Sequence, residues 1–235
     1  MSISAILLAK NEAENLKILL PRLISALNKT NAAYEVIVVD SMTPTDNTPS
    51  ICSQYDHVRY INQTSPGYAG AFRTGIEAAG MDCLLNLDAD GSHNPDAIPD
   101  LYEKYREGYD LVIGSRYCQG GKTNDSRMSI IMSKILNFVM RIIIGVKAKD
   151  ISTSFRIYNM AQIKAVKLTC TNYEVLQEVI LRMRMNKRHL TIGEVPIIFE
   201  KRIYGQSKRR LMRFIASYIS VLFRFTKIRL GHQHD

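Results

Sequence analysis

The sequence predicts an α/β fold with a mostly parallel central sheet and helices on both of its faces. Three observations predict it. Short, near-continuous apolar runs alternate with segments of helical period through the first half of the chain. The residues just after those runs are polar and charged, as at the carboxyl edge of an open sheet, where such folds bind ligands. A hydrophobic content of 46% over 235 residues supplies a sizeable core without disulfides or structural metal.

In chain order, strands are predicted at Ile3–Leu8, Glu35–Val39, Val58–Ile61, Cys83–Leu87 and Leu111–Ile113, each β-branched or Leu-rich and bounded by polar residues. Helices are predicted between them at Glu12–Leu27, Thr48–Gln54, Ala69–Ala79 and Asp96–Glu107. The second half is less regular. It predicts a long helix over Asn124–Gly145, a short strand over Ser152–Tyr158 and a helix over Tyr173–Met185. A strand over Thr191–Phe199 is interrupted by Pro196, which suits a sheet edge. Lys208–Arg229 has a helical period, with Leu211, Ile215, Tyr218, Leu222 and Phe225 on one stripe and cations opposite. No repeat or linker divides the chain. The expected organisation is one catalytic domain over 1–207, with 208–235 a basic amphipathic helix and tail, either part of that domain or lying on a membrane.

The net charge of +9 is localised. Nine basic residues and no acidic one lie between Lys201 and Arg229, leaving 22 basic against 22 acidic elsewhere. Nucleic-acid binding is not expected, because aromatics lie on or beside the apolar stripe and no recognition motif is present. The four cysteines are far apart, as reduced thiols of a cytoplasmic protein are. The N-terminus lacks the basic region and cleavage site of a signal peptide, and no apolar stretch reaches the ~18–20 residues of a membrane span.

The strongest local signal is Asp88-Ala89-Asp90 after the strand pattern CLLNL. Residues two apart in extended chain point the same way, so both carboxylates can face one hard cation such as Mg²⁺ or Mn²⁺. The plainer reading is a pair of solvated loop carboxylates or caps. His93 reads as a cap or packing residue before a metal ligand, and Gly67–Gly70 as a closely packed helix start before a phosphate loop.

The ordered set of motifs resembles the family-2 inverting glycosyltransferases, in particular the dolichyl-phosphate mannosyltransferase-like, polyprenyl-phosphate sugar synthase group. The matching stretches are Asn11-Glu12-Ala13-Glu14-Asn15, Val38-Val39-Asp40, Gly67-Tyr68-Ala69-Gly70-Ala71, Asp88-Ala89-Asp90 and Gly114-Ser115-Arg116-Tyr117. They continue with Asp150 through Phe155-Arg156, Glu194-Val195-Pro196-Ile197, Arg202 and Gly205-Gln206-Ser207-Lys208. The resemblance implies a Rossmann-like nucleotide-sugar transferase fold of the GT-A type. It also implies Mg²⁺ or Mn²⁺ on the donor diphosphate, and inverting transfer of a hexose to a polyprenyl phosphate.

On that resemblance Asp88, Asp90 and Ser92 form the metal and diphosphate site. Arg202 and Lys208, with Ser207, form a basic clamp over the diphosphate. Arg116 and Arg127 are candidates for the acceptor phosphate, while Lys10, Asn11, Glu12, Asp40 and Ser41 belong to the nucleoside pocket. Gln177 and Glu178 serve sugar binding or scaffolding. A phosphate acceptor is already anionic, so no strong general base is required. Three positions depart from the pattern. Ser41 stands where the family commonly has a second aspartate, with Asp46 a compensating carboxylate nearby; Ser92 stands where Gln is frequent, and Ser154 where Gly is usual. GDP-mannose is the expected donor, then UDP-glucose. The expected location is peripheral, at the cytoplasmic face of a membrane, through lipid or a small membrane-protein partner. The alternatives are transfer to a soluble sugar or polysaccharide hydroxyl, and a non-catalytic nucleotide-sugar-binding subunit.

Overall fold

The computed structural model of the chain describes residues 1–200, 221–229 and 231. Nine strands are present among them: β1 (Ile3–Leu8), β2 (Tyr34–Asp40), β3 (Val58–Asn62), β4 (Cys83–Asp88), β5 (Leu111–Ser115), β6 (Lys122–Thr123), β7 (Arg156–Asn159), β8 (Ile192–Pro196) and β9 (Ile198–Phe199). The helices are α1 (Ala13–Asn28), α2 (Thr48–Cys52), α3 (Tyr68–Ala78), α4 (Ile98–Arg106), α5 (Arg127–Ile144), α6 (Met160–Lys164) and α7 (Val175–Asn186). Residues 221–229 are also helical.

Seven strands form the central sheet in the order β3-β2-β1-β4-β7-β5-β8. All neighbours pair in parallel except at β7, which runs antiparallel to both β4 and β5. The sheet is thus mostly parallel, with one strand reversed. β6 and β9 form a separate two-stranded parallel sheet.

Strands covered on both faces explain the uninterrupted apolar runs. The pleat sends alternate residues to opposite faces. Ile3, Ala5, Leu7, Val36, Val38, Leu85 and Leu87 enter a core shared with α1, α2 and α4. Ile6, Ile37, Val39 and Leu84 enter the other core, shared with α3, α5, α6 and α7. Each such fully buried Val, Leu or Ile side chain contributes roughly 1.5–3 kcal/mol.

The first-half elements lie where the apolar pattern puts them; the second half differs in three places. The strand expected over Ser152–Tyr158 is Arg156–Asn159, because the residues before it turn around the Arg116 side chain. The run Thr191–Phe199 is divided between β8 and β9, with Pro196 the last residue of β8 at the sheet edge. α6 and β6, five and two residues long, leave too little period to be predicted. Of the expected C-terminal stripe, Phe225 is fully buried in the core beneath α5 and α7 together with Val221. Leu211, Ile215 and Tyr218 lie outside the described residues. Arg229 donates to the carbonyls of Ile142 and Ile143 at 2.9 and 2.6 Å, capping the end of α5.

Candidate functional site

The strand order reverses direction between β1 and β4. The chain winds from β1 out to β3 on one side and returns to place β4 on the other. Helices diverge at such a point and leave a crevice beyond the carboxyl ends of the strands. A cavity of about 280 Å³ occupies this place. Its floor is the end of β1 with Lys10 and the end of β4 with Asp88, Ala89 and Asp90; Glu12, Ser41 and Gln63 border it. Its far wall is the start of α3 at Gly67 and Tyr68, together with Asn172 and Tyr173. Register sets the level of these groups, because Leu8 pairs with both Val39 and Asp88.

Asp88 and Asp90 are held by different means. The Tyr68 hydroxyl donates to Asp88 Oδ1 at 3.3 Å. Burial, then the nearby Asp88 charge, pushes that phenol well above its ordinary pKa, so it stays a donor. The Tyr68 ring packs on Tyr173 with centroids 4.5 Å apart. Asp90 is buried, and its Oδ1 accepts from the Ser92 backbone N–H at 3.0 Å and the Ser92 hydroxyl at 2.5 Å. The turn between them needs φ +76° at Gly91. Ser92 therefore already orients Asp90.

His93 supports the same turn from below. Its Nδ1 accepts the Asp88 backbone N–H at 3.3 Å, and its Nε2 lies 3.3 Å from Thr153 Oγ1. The ring sits between Phe155 and Phe199 at centroid distances of 5.2 Å each. Burial lowers its pKa and favours the neutral ring that this arrangement requires. His93 is thus a packed support of the carboxylate turn, in line with the plainer sequence reading.

The remaining predicted residues divide. Lys10, Glu12 and Ser41 reach the cavity. Asp40 lies beneath it instead of lining it, because its carboxylate accepts from Ser41 N at 2.6 Å and from the Tyr60 hydroxyl on β3 at 3.1 Å. Asn11 adopts φ +59° and its side chain accepts from Thr45, so it shapes the loop at the mouth. Asp46 is not placed as a base-reading carboxylate. It accepts the Ala13 N–H at 2.9 Å and the Thr48 N–H at 3.1 Å, holding the starts of α1 and α2.

Arg116, a candidate for the acceptor phosphate, is held by neighbouring protein groups. Its guanidinium is nearly buried and bonds Asp150 through Nε at 2.7 Å and Nη2 at 2.8 Å, with Ser152 Oγ also at 2.8 Å. Burial alone would raise the Asp150 pKa; the Arg116 hydrogen bonds and charge outweigh it and hold the carboxyl below its usual range. Arg127 is exposed at the first position of α5, which Ser126 caps by accepting the Ser129 N–H.

Gln177 and Glu178 are buried in α7. Glu178 accepts from Thr169 N at 2.9 Å, Thr169 Oγ1 at 2.6 Å and Cys170 N at 2.8 Å. Those bonds outweigh burial and keep its pKa low, and they fix the turn leading to Asn172 and Tyr173. Glu178 is therefore scaffolding for the cavity wall. Arg202, Ser207 and Lys208 lie outside the described residues. Tyr68, Tyr173 and Gln63 were not singled out from the sequence. Tyr68 stands inside the quoted Gly67–Ala71 stretch, and an aromatic one residue after a helix-start glycine was the available signal.

The chain can now be set beside known proteins. The family model for glycosyl transferase family 2 matches residues 4–166. The dolichol-phosphate mannosyltransferase of Pyrococcus furiosus is 30% identical over 239 residues, covering 97% of this chain and 64% of that protein. The chain thus spans less than two thirds of that relative's length. The undecaprenyl-phosphate mannosyltransferase of Micrococcus luteus is 33% identical over 221 residues, 88% of this chain and 87% of that one. Among solved structures, glucosyl-3-phosphoglycerate synthase from Mycobacterium tuberculosis, in complex with Mn²⁺, UDP and phosphoglyceric acid, superposes with a TM-score of 0.71. It shares 18% sequence identity, with 98% of this chain and 78% of that chain covered, and so shares the fold.

Proposed function

The chain belongs to glycosyl transferase family 2, and from that premise we propose that it moves a hexose, mannose before glucose, from a nucleoside-diphosphate sugar to a polyprenyl phosphate. The observation that carries this reading is the carboxylate pair Asp88 and Asp90 at the β1/β4 crevice, beside Lys10 and an aromatic wall. The names of the Pyrococcus and Micrococcus relatives support the acceptor class.

The donor set suits Mg²⁺ or Mn²⁺. The Asp88 and Asp90 carboxylates are hard oxygen ligands on the cavity, Ser92 orients Asp90 from beneath, and such ions complete their shell with water and substrate phosphate. Bound between Asp88 and Asp90, the ion would neutralise the diphosphate as it departs.

The chain's own residues supply the rest. Lys10, Glu12 and Ser41 border the nucleoside end, and Tyr68 and Tyr173 wall the sugar end. Arg202 and Lys208 would supply positive charge to the diphosphate and Ser207 a hydroxyl, while Arg127 meets the acceptor phosphate. Because the acceptor phosphate is anionic near neutral pH, no side chain must remove a proton from it. Mannose from GDP-mannose is the first donor choice and glucose from UDP-glucose the second. The acceptor is a membrane lipid, so the protein works peripherally at the cytoplasmic face; no helix of the described residues is long and apolar enough to cross.

Incubation with GDP-, UDP- and CDP-sugars, Mg²⁺ or Mn²⁺, and polyprenyl phosphate, followed by mass spectrometry of the lipid fraction, tests the reading. A hexosyl polyprenyl phosphate is expected, with Asp90→Ala removing metal-dependent turnover while the chain stays folded by circular dichroism. Full, still metal-dependent activity in Asp90→Ala would overturn the site. Transfer only to soluble acceptors would overturn the acceptor.

A further inference from the structure

One wholly buried cation joins the two sides of the crevice. Arg156 opens β7 and closes the stretch Asp150 through Phe155-Arg156, yet it does not line the cavity. Its guanidinium donates in two directions. Nη2 reaches Ile151 O at 2.7 Å, while Nη1 reaches Leu176 O at 2.6 Å and the Tyr158 hydroxyl at 3.1 Å. All three acceptors are neutral. A cation buried among neutral groups gains little for a core, where an apolar side chain of like volume often serves stability as well or better. What it holds is therefore the point of interest.

The two carbonyls belong to different walls. Ile151 follows Asp150, which grips Arg116, and its N–H donates to Asn137 Oδ1 on α5 at 2.8 Å. Leu176 lies in the first turn of α7, and its N–H donates to Tyr173 O at 3.2 Å. Tyr173 lines the cavity and packs on Tyr68, which bonds Asp88. Two hydrogen bonds thus lead from Arg156 to the cavity wall, and one leads to the residue beside the Arg116 support. Strand pairing sets the level, because Arg156 stands opposite Asn86 on β4, two residues before Asp88.

We propose that Arg156 is a positioning residue for the transfer, an inference that rests on the transferase reading. Its planar fork sets the distance between the wall that carries Tyr173 and the loop that carries Asp150, so that donor and acceptor meet in register. Shape matters here more than charge. A guanidinium presents its donors in fixed directions, whereas a lysine ammonium keeps the charge but not the fork. A misplacement of about 1 Å between reacting groups slows a reaction by up to about a hundredfold.

Arg156→Lys and Arg156→Met test this, with Leu101→Ala, buried on α4 in the core across the sheet, as the destabilised control. All measurements are made where melts show each variant fully folded. Both Arg156 variants should weaken Mn²⁺-dependent binding of GDP and UDP about threefold or more by calorimetric titration. They should also raise KM for polyprenyl phosphate and lower kcat about tenfold or more. Leu101→Ala should keep the unmodified values. A residue that served stability alone would lower the apparent kcat through the folded fraction and leave the titration and KM unmoved. Arg156 variants that match Leu101→Ala therefore overturn the proposal, as does unmodified binding and turnover in Arg156→Lys. If neither Arg156 variant folds, Tyr158→Phe takes one acceptor from the fork and should raise both constants about twofold; unchanged constants there overturn the proposal. Weakened nucleotide binding in the Arg156 variants, with no lipid product from the unmodified chain, would sink the transferase reading alone. Lipid product from Arg156→Lys at the unmodified rate would sink this inference alone.

Discussion

Replacing Asp150 with alanine removes the sole carboxylate within 3 Å of the Arg116 guanidinium among the described residues. Asp150 is fully buried and accepts from Arg116 N at 3.0 Å, Nε at 2.7 Å and Nη2 at 2.8 Å, and from Ser152 Oγ at 3.1 Å. The Asp150→Ala variant would leave a nearly buried cation with only the more distant Asp125 at 3.9 Å for counter-charge, and a backbone N–H without its acceptor. Breaking such a pair from one side costs about 3–5 kcal/mol. At roughly 2–4 °C per kcal/mol for a domain of this size, the melting temperature should fall by about 6–20 °C. Scanning calorimetry supplies the number. Adding Arg116→Met should recover part of the loss, because the stranded charge is then gone. A loss below about 1 kcal/mol in Asp150→Ala, or a double variant worse than the sum of the singles, would refute the buried-pair argument.

Three further outcomes are expected. Asp150 and Glu178 both have folded pKa values below their unfolded ones, so the unfolded chain binds more protons as pH falls. Their contribution is present above the unfolded values of about 4 and is lost below them, so melting temperature should hold down to about pH 5 and then fall; Asp150→Asn should flatten that fall. Tyr68→Phe removes the hydrogen bond to Asp88 and should weaken Mn²⁺-dependent nucleoside-diphosphate binding about three- to tenfold by titration, with the melting temperature kept within a few degrees. Gly67→Ala must hold φ +85° and would place Cβ 2.4 Å from Thr171 O, so it should destabilise by more than about 1 kcal/mol in denaturant melts.

Legibility in the sequence followed the range over which the physics acts. β1 to β5 could be read because burial on both faces writes itself into consecutive residues. The reversal of β7 could not, since nothing in Arg156–Asn159 records the direction of its neighbours. The exposure of the outer stripe of α5, Ile131, Ile135, Phe138 and Ile142, was equally hidden: apolar residues at helical spacing read alike whether or not their face meets protein. At the site, Asp88 and Asp90 were visible because two residues on one extended segment define their own geometry. The Arg116–Asp150 pair could not be read, because the two residues are 34 positions apart and only folding brings them together. Asp40 and Asp46 show the same limit, for a carboxylate after a strand looks alike whether it meets a substrate, a tyrosine or a helix start.

The reversed strand constrains how this protein could be altered. β5 leaves the sheet at the crevice end, and β7, running opposite, re-enters it at that same end, since Arg156 pairs with both Ile113 and Asn86. The forty residues of chain numbered 116–155 are therefore a detour that departs from and returns to the same rim. Had β7 been parallel, the chain would have had to cross to the far rim before rejoining. As built, the detour returns through Thr153, Ser154 and Phe155, which touch His93 and Asn86 beneath the carboxylate turn. A change in its outer part leaves the strand ends alone, whereas a change in its last three residues reaches Asp88 and Asp90.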